Sequence, residues 1–368
     1  MKKALSFILA CALLLCLFGC GQKYKPQEST KEEATTVYTL IFENETYEVK
    51  YELYRAFFLN FRSQVDGGDS SVWTSENKDE YIEKIDRIIL DLVTDIYASF
   101  AVCKKIGFDI YSKEVNKTIE EYITVSIEGG TLGDYTVLGM GSYEDYLQSL
   151  KEDNLNYSAQ VLLYRYAIAT DAIDEYYIGT ISADEIDSDF TVGAIKYTRD
   201  DVREFYDSDS CVRVLRHFIQ AGMHDDNYVS RVRGYIADAA KDGESAVALT
   251  MKQNSSLSTY DEIKNGYVMG RYNLDRAVYK EMTDAAFLLD IGEVSNAIEV
   301  KDGYSDGYYI LYRAEKSDEH FEECYSSICY IFLKDKTGEI IEEARVALLE
   351  SAVASDFLKS LDRSKISM

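Results

Sequence analysis

Few side chains in this chain stand where they could do chemistry. Of three histidines, His217 lies inside the apolar run Arg213-Val214-Leu215-Arg216-His217-Phe218-Ile219. His224, in His224-Asp225-Asp226, and His320 are isolated, and loop or surface roles are expected for both. An imidazole within a buried strand can move a proton or relay a hydrogen bond, and it serves equally as a hydrogen-bonded core residue. Cys103, Cys211, Cys324 and Cys329 follow the amino-terminal region, with no Cys-x-x-Cys pair and no zinc spacing. Unpaired buried thiols are the favoured reading of them. On one continuous strand Cys324 and Cys329 would face opposite ways and could not bridge. No glycine-rich phosphate fingerprint occurs, and no Ser-His-Asp assignment is supported by spacing. Nucleotide, metal and hydrolytic chemistry therefore have no motif to stand on. What remains is chemistry done by hydrogen bonds and apolar contact.

The elements that must position His217 follow from the pattern around it. Residues 213–219 read as a buried strand, and Gly266-Tyr267-Val268-Met269-Gly270-Arg271-Tyr272 as a second. A helix leads into Ala285-Ala286-Phe287, a turn falls at Gly292-Glu293-Val294-Ser295, and a last strand carries Gly307-Tyr308-Tyr309-Ile310-Leu311. Val37 to Lys50 alternates as a hairpin around Glu43-Asn44-Glu45. From Tyr51 to Tyr177 the chain is helical. Ile82, Ile85, Ile89, Leu92, Ile96 and Phe100 recur at three and four, so one helix runs from about Glu80 to Lys105, with Gly107 to stop it. Val115, Ile119, Tyr122 and Ile123 mark the next helix, Ser142 caps another, and a longer one spans Tyr157 to Tyr177. Ile178 to Lys196 is a candidate linker, and Thr198-Arg199-Asp200-Asp201 opens a short helix. His320 to Leu333 ends in a strand-like alternation of Ile328, Tyr330 and Phe332. Glu339 to Leu361 is an amphipathic helix expected to fold back on the N-terminal helices.

Composition narrows the setting. At 368 residues, two domains are expected. The net charge of −26 repels nucleic acid and anionic lipid headgroups, so neither is a direct partner. Tyrosine is abundant at 31, against the single proline Pro26. Tyrosine suits adaptable binding surfaces, and compositional bias explains the number equally well. Lys2 and Lys3 open the chain, and Ala4 to Phe18 is an apolar run too short to favour a spanning helix. Leu17-Phe18-Gly19-Cys20 resembles the lipobox of bacterial lipoproteins, which implies a diacyl lipid on Cys20 and placement on the extracytoplasmic face of a bacterial membrane. Gly21 to Thr36 reads as a flexible tether.

Residues 212–315 resemble the parvulin (rotamase) domain in the order of first strand, glycine-flanked strand, helix, Gly-Glu-Val-Ser turn and final Gly-Tyr-x-Ile-Leu strand. With the lipobox, the helical segment and the return helix, the whole chain resembles extracytoplasmic foldases of the PrsA and SurA type. The resemblance implies an α+β architecture: a leader (1–20), a tether (21–36), a mainly helical domain (37–197), a parvulin-like domain with a central antiparallel sheet (198–316), and a C-terminal piece (317–368) that completes the helical domain. It also implies peptidyl-prolyl isomerase activity. Rotation about an X–Pro bond is slow because the amide has partial double-bond character. No bond breaks, so no metal and no cofactor is needed. The site must hold the proline ring and favour the twisted amide through preorganised polar groups.

By the same resemblance His217 takes the place of the family's first-strand histidine, and Tyr309 that of its second. Met269, Val278, Met282 and Phe287 are the expected substrate-binding residues. Met282 stands for the usual phenylalanine and Val278 for the usual methionine, and Phe287 reads also as core. The polar residue before the glycine strand has no clear match, Ser255 and Ser256 being nearest. These departures imply weak turnover. Partners would be unfolded secreted proteins, with the membrane reached through Cys20; a homodimer through the N-terminal helices is an open alternative. Two other readings stand beside this one. A chaperone of the same architecture would keep the domain for binding only. A solute-binding lipoprotein would need strand–helix units in both lobes, against which the long helical run argues.

Overall fold

The computed structural model describes residues 24, 26–66, 71, 73, 76, 78–132, 135–179, 193–222, 227–254, 260–272, 276–300 and 307–366. The leader with Cys20, His224, Ser255 and Ser256 lie outside them. The fold is α+β. The chain divides into two compact units, Met1–Tyr176 with Ile340–Met368 and Tyr177–Glu339.

The first unit opens with the hairpin β1 (Thr36–Phe42) and β2 (Glu45–Lys50), turning at Glu43 with a positive φ of 53°. The helices α1 (Tyr51–Asp66), α2 (Lys78–Lys105) and α3 (Lys113–Glu128) follow. The apolar stripe of α2 is real: Ile85, Ile89, Ile96 and Phe100 are buried. Gly107 ends it at φ 81°, where the Phe108 amide turns back to the Cys103 carbonyl at 2.8 Å. Ser112 caps α3 by accepting from the Val115 amide at 3.2 Å. The glycine-bearing loop that follows holds a small hairpin, β3 (Gly130–Leu132) with β4 (Tyr135–Val137). Ser142 caps α4 (Tyr143–Glu152), and α5 (Tyr157–Tyr177) has the bounds its pattern gives. Residues 26–35, expected as tether, lie along this unit because their polar groups find partners there. Glu33 pairs with Arg55 at 3.1 Å, and the Ser29 hydroxyl donates to Glu52.

The second unit begins with α6 (Arg199–Asp207), closed by a reciprocal cap between Thr198 and Asp201. Then come β5 (Cys211–Gln220), α7 (Tyr228–Ala239), α8 (Glu244–Gln253), α9 (Tyr260–Asn265), β6 (Tyr267–Gly270), α10 (Arg276–Leu288), β7 (Ile298–Val300) and β8 (Gly307–Ala314). The four strands form one antiparallel sheet in the order β6-β5-β8-β7. Its centre is β5, whose buried Arg213 grips Glu244 through two bonds of 2.7 and 2.9 Å and the Lys264 and Glu315 carbonyls at 2.7 and 2.8 Å. A buried guanidinium needs that many acceptors to offset its lost hydration.

The C-terminal stretch departs from its sequence pattern. Instead of a strand at 328–332, one helix, α11 (Asp318–Glu350), runs across the boundary between the units. Ile328 and Phe332 fit a strand, but Phe321, Tyr325, Ile328 and Phe332 also recur at helical spacing, and the longer pattern prevails. These four pack against Val202, Phe205 and Tyr206 of α6. Cys324 and Cys329 therefore sit on a helix, and all four thiols are free. His320 is not at the surface: it is buried in α11, its Nδ1 2.8 Å from the Tyr206 hydroxyl. The expected long return helix breaks after Glu350, because β9 (Val353–Ala354) pairs with β1 and Ser355 caps a short α12 (Asp356–Ser360). Arg363 then reaches Asp86 at 3.1 Å within the first unit. In the second unit α11 approaches β6 so closely that Gly270 and Gly338 are required: a Cβ on Gly270 would stand 2.5 Å from Asp335, and one on Gly338 1.4 Å from the Tyr272 carbonyl oxygen.

Candidate functional site on one face of the sheet

The pleat of β5 sorts its side chains into two sets, since successive residues of a strand point to opposite faces. Leu215 and Ile219 face the helices α7, α8 and α9, where they pack with Val232, Ile236, Val247 and Met251. His217 lies between them in the alternation and pairs with Ile310, a member of the same cluster. Its ring is 2 % exposed, and its Nε2 has no hydrogen-bond partner among the described residues. Burial pushes its pKa down to about 4, so the ring is neutral across the physiological range.

Val212 and Val214 face α10 instead, with Met269, Met282, Ala286 and Leu311. Tyr309 belongs to this set. It pairs with Phe218 across the strands, and the two rings lie 4.9 Å apart. His217 and Tyr309, expected to act together, thus project from opposite faces. The register that pairs Phe218 with Tyr309 leaves no arrangement in which both touch one substrate.

The structure does bring Met269, Met282, Phe287 and Tyr309 into one apolar cluster. Met269 and Met282 are 8 % and 2 % exposed, so they form its floor rather than its contact surface. Phe287, Leu289, Tyr267, Ile298 and Tyr309 are half-buried and form the open layer above it. Val278 lies on α10 one turn before Met282, with its side chain outside the described ones. Just past Phe287, Leu288 is 85 % exposed and Ile291 65 %, so apolar surface continues beyond the cluster.

Two residues of this face were not anticipated. Arg216 stacks its guanidinium 3.5 Å from the centre of the Tyr267 ring and 5.8 Å from that of Tyr309. Phe218 lies beside them. Alternation alone could have found both: if Tyr309 is on the site face, its β5 neighbours there are Arg216 and Phe218, never His217. Two further arginines share the face. Arg271 covers the Phe287 ring at 4.4 Å, and Arg313 donates to the Ala286 carbonyl at 2.9 Å, satisfying the C-terminal end of α10. Burial lowers the pKa of Arg313.

Chemically this face offers aromatic platforms and guanidinium donors. Flat rings suit a pyrrolidine, and fixed donors can stabilise a carbonyl oxygen that loses amide conjugation. Among the described residues, the strand positions of this face carry no imidazole, thiol or carboxylate to act as nucleophile or base. Among the described residues no group of His, Cys, Asp and Glu could hold a metal ion, and no helix is long and apolar enough to cross a membrane.

Among solved structures, the foldase protein PrsA of Streptococcus pneumoniae matches 84 % of this chain and 93 % of its own at 15 % identity, with a TM-score of 0.24. The foldase protein PrsA of Lactococcus lactis matches 91 % and 100 % at 14 % identity, TM-score 0.24, and PrsA of Bacillus subtilis 79 % and 94 % at 15 % identity, TM-score 0.22. The chain is similar to PrsA foldases. No protein-family model and no curated protein matches it. At TM-scores this low the likeness carries no function across, and the site must be judged on its own geometry.

Proposed function

We propose that this protein is a foldase of secreted chains whose second unit binds X–Pro segments on the α10 face of its sheet and isomerises them slowly. The observation that supports this is the half-open cluster of Tyr267, Phe287, Leu289 and Tyr309 over the buried floor of Met269 and Met282. A proline ring laid on such a floor loses water from both partners, the dominant gain in apolar binding. Turnover is slow because the cation set over the Tyr309 ring is the Arg216 guanidinium, 5.8 Å from its centre, and no imidazole takes that place. In this reading the lipobox at Leu17-Phe18-Gly19-Cys20 anchors the protein outside the cell, where unfolded exported chains are its clients. The test is isomerisation of tetrapeptides containing X–Pro, with wild type beside Phe287→Ala and His217→Ala. The reading requires turnover that falls with Phe287→Ala and persists with His217→Ala in whatever fraction stays folded.

A second reading keeps the same face for binding without turnover. The position of His217, turned away and neutral, favours it. Suppression of client aggregation by a wild type that turns over no peptide would establish that reading and remove the enzymatic one.

A further inference from the structure

The β3–β4 hairpin of the first unit turns apolar side chains outward. Just past β4, Leu138 is 91 % exposed and Met140 43 %. Leu132 and Val137 beside them are half-buried. Residues 129–141 of the sequence carry one charged side chain, Asp134, in a chain that is 28 % charged. Single exposed apolar residues are ordinary, but several on one projection poor in charge mark an interaction surface. The exit of the hairpin is fixed. Val137 pairs with Gly130 on one side of Leu138. On the other side, Gly139 passes so close to the end of α3 that a Cβ there would stand 2.2 Å from the Gly129 nitrogen. The Met140 and Gly141 amides donate to the Ser126 and Ile127 carbonyls at 3.0 and 2.8 Å. Leu138 is thus held outward by its own backbone.

What meets that surface follows from where the start of the chain is seated. Tyr24 stacks on Tyr143 with ring centres 5.3 Å apart, and its hydroxyl donates to Glu128. Glu128 ends α3 and Tyr143 opens α4, so Tyr24 sits at the two roots of the hairpin. Cys20 precedes Tyr24 by four positions, a reach of at most about 14 Å. Leu138 precedes Tyr143 by five, which keeps it within about 18 Å of the same point. Tyr111, 61 % exposed, lies off the opposite end of α3, whose length is about 24 Å. A lipid on Cys20 therefore brings a bilayer to the hairpin end of α3 and not to the Tyr111 end.

We infer that Leu138 and Met140 form a membrane-contact site that enters the apolar edge of the bilayer in which Cys20 is anchored. This rests on the lipobox reading of Cys20. The contact is apolar, because the acidic surface of this protein repels anionic headgroups. The anchor holds the protein at the membrane. The hairpin, too small to bind a bilayer by itself, sets which end of the first unit faces the lipid.

The test uses the lipidated full chain in phosphatidylcholine vesicles made with or without brominated acyl chains, which quench tryptophan on contact. Trp73, the chain's one tryptophan, is 3 % exposed and serves as the internal reference. In Leu138→Trp the added fluorescence should fall by roughly half in brominated vesicles, as for a ring at the boundary of headgroups and acyl chains. Wild type and Tyr111→Trp should be indifferent to bromination. Added fluorescence in Leu138→Trp that ignores bromination, or equal quenching in Tyr111→Trp, overturns the inference alone. If the unquenched emission is also blue-shifted, a protein and not a lipid covers this face. A mass showing no lipid on Cys20 overturns the lipobox reading and this inference with it.

Discussion

The two faces of the β6-β5-β8-β7 sheet are made by the same strands and differ in almost every other respect. One is shut by α7, α8 and α9 and contains a neutral histidine whose Nε2 has no partner among the described residues. The other is covered by α10 among the described residues and exposes rings, aliphatic side chains and guanidinium groups at partial burial. The difference teaches that burial separates structural from functional residues more sharply than chemical type. His217 has the more reactive side chain and the less useful position. Arg216, one residue earlier, has the position.

The largest effect expected from this contrast is on stability. Leu215→Ala, which empties a site with no exposed surface, should cost about 3 kcal/mol in chemical denaturation, whereas Phe218→Ala on the other face should cost about 1 kcal/mol. Equal losses would mean that the α10 face is as closed as its opposite.

Next comes acid sensitivity. The pKa of His217 is lowered by burial to about 4, below its unfolded value, so the folded state holds the ring neutral while the unfolded chain takes up a proton. The stability this group contributes is complete above pH 6.5 and is lost as pH falls through the folded pKa near 4. Wild type should therefore lose roughly 2 kcal/mol between pH 7 and pH 5 that His217→Leu does not lose. Identical pH profiles would show that the ring reaches water.

A smaller effect of opposite sign is expected at the edge of the sheet. Burial raises the pKa of Asp335, which accepts from the Tyr272 amide at 2.6 Å, to about 6, with Arg271 and Lys336 opposing the shift and Glu339 adding to it. Its raised pKa favours folding in acid, and that advantage is lost as pH rises through 6. Between pH 5 and pH 6 wild type should lose about 1 kcal/mol relative to Asp335→Asn. A difference of the other sign would mean that Asp335 is held ionised by its cationic neighbours.

How much of this could be read in the sequence depends on the period involved. The helices of the first unit were legible because stripes such as Ile85, Ile89, Ile96 and Phe100 fit one period over many turns. The strand order around His217 was legible from glycines and alternation. The pairing register was not. A strand pattern shows that neighbours alternate without saying which set faces which layer, and one step exchanges the two faces. That step separates His217 from Arg216 and so moves the candidate site. The strand-like alternation at 328–332 misleads for a related reason: Ile328 and Phe332 satisfy both periods, and the packing of α6 against Phe321 and Tyr325 decides for helix. The break after Glu350 is decided by the distant strand β1, with which Val353 and Ala354 pair, and no local pattern announces that.

The central claim is that X–Pro segments meet the α10 face. Three methionines report on it: Met269 and Met282 under that face, Met251 under the other. With the methionine methyls carbon-13 labelled, titration of an X–Pro tetrapeptide should shift the Met269 and Met282 resonances and leave that of Met251 in place. A shift confined to Met251 would put the ligand on the His217 side and contradict the account.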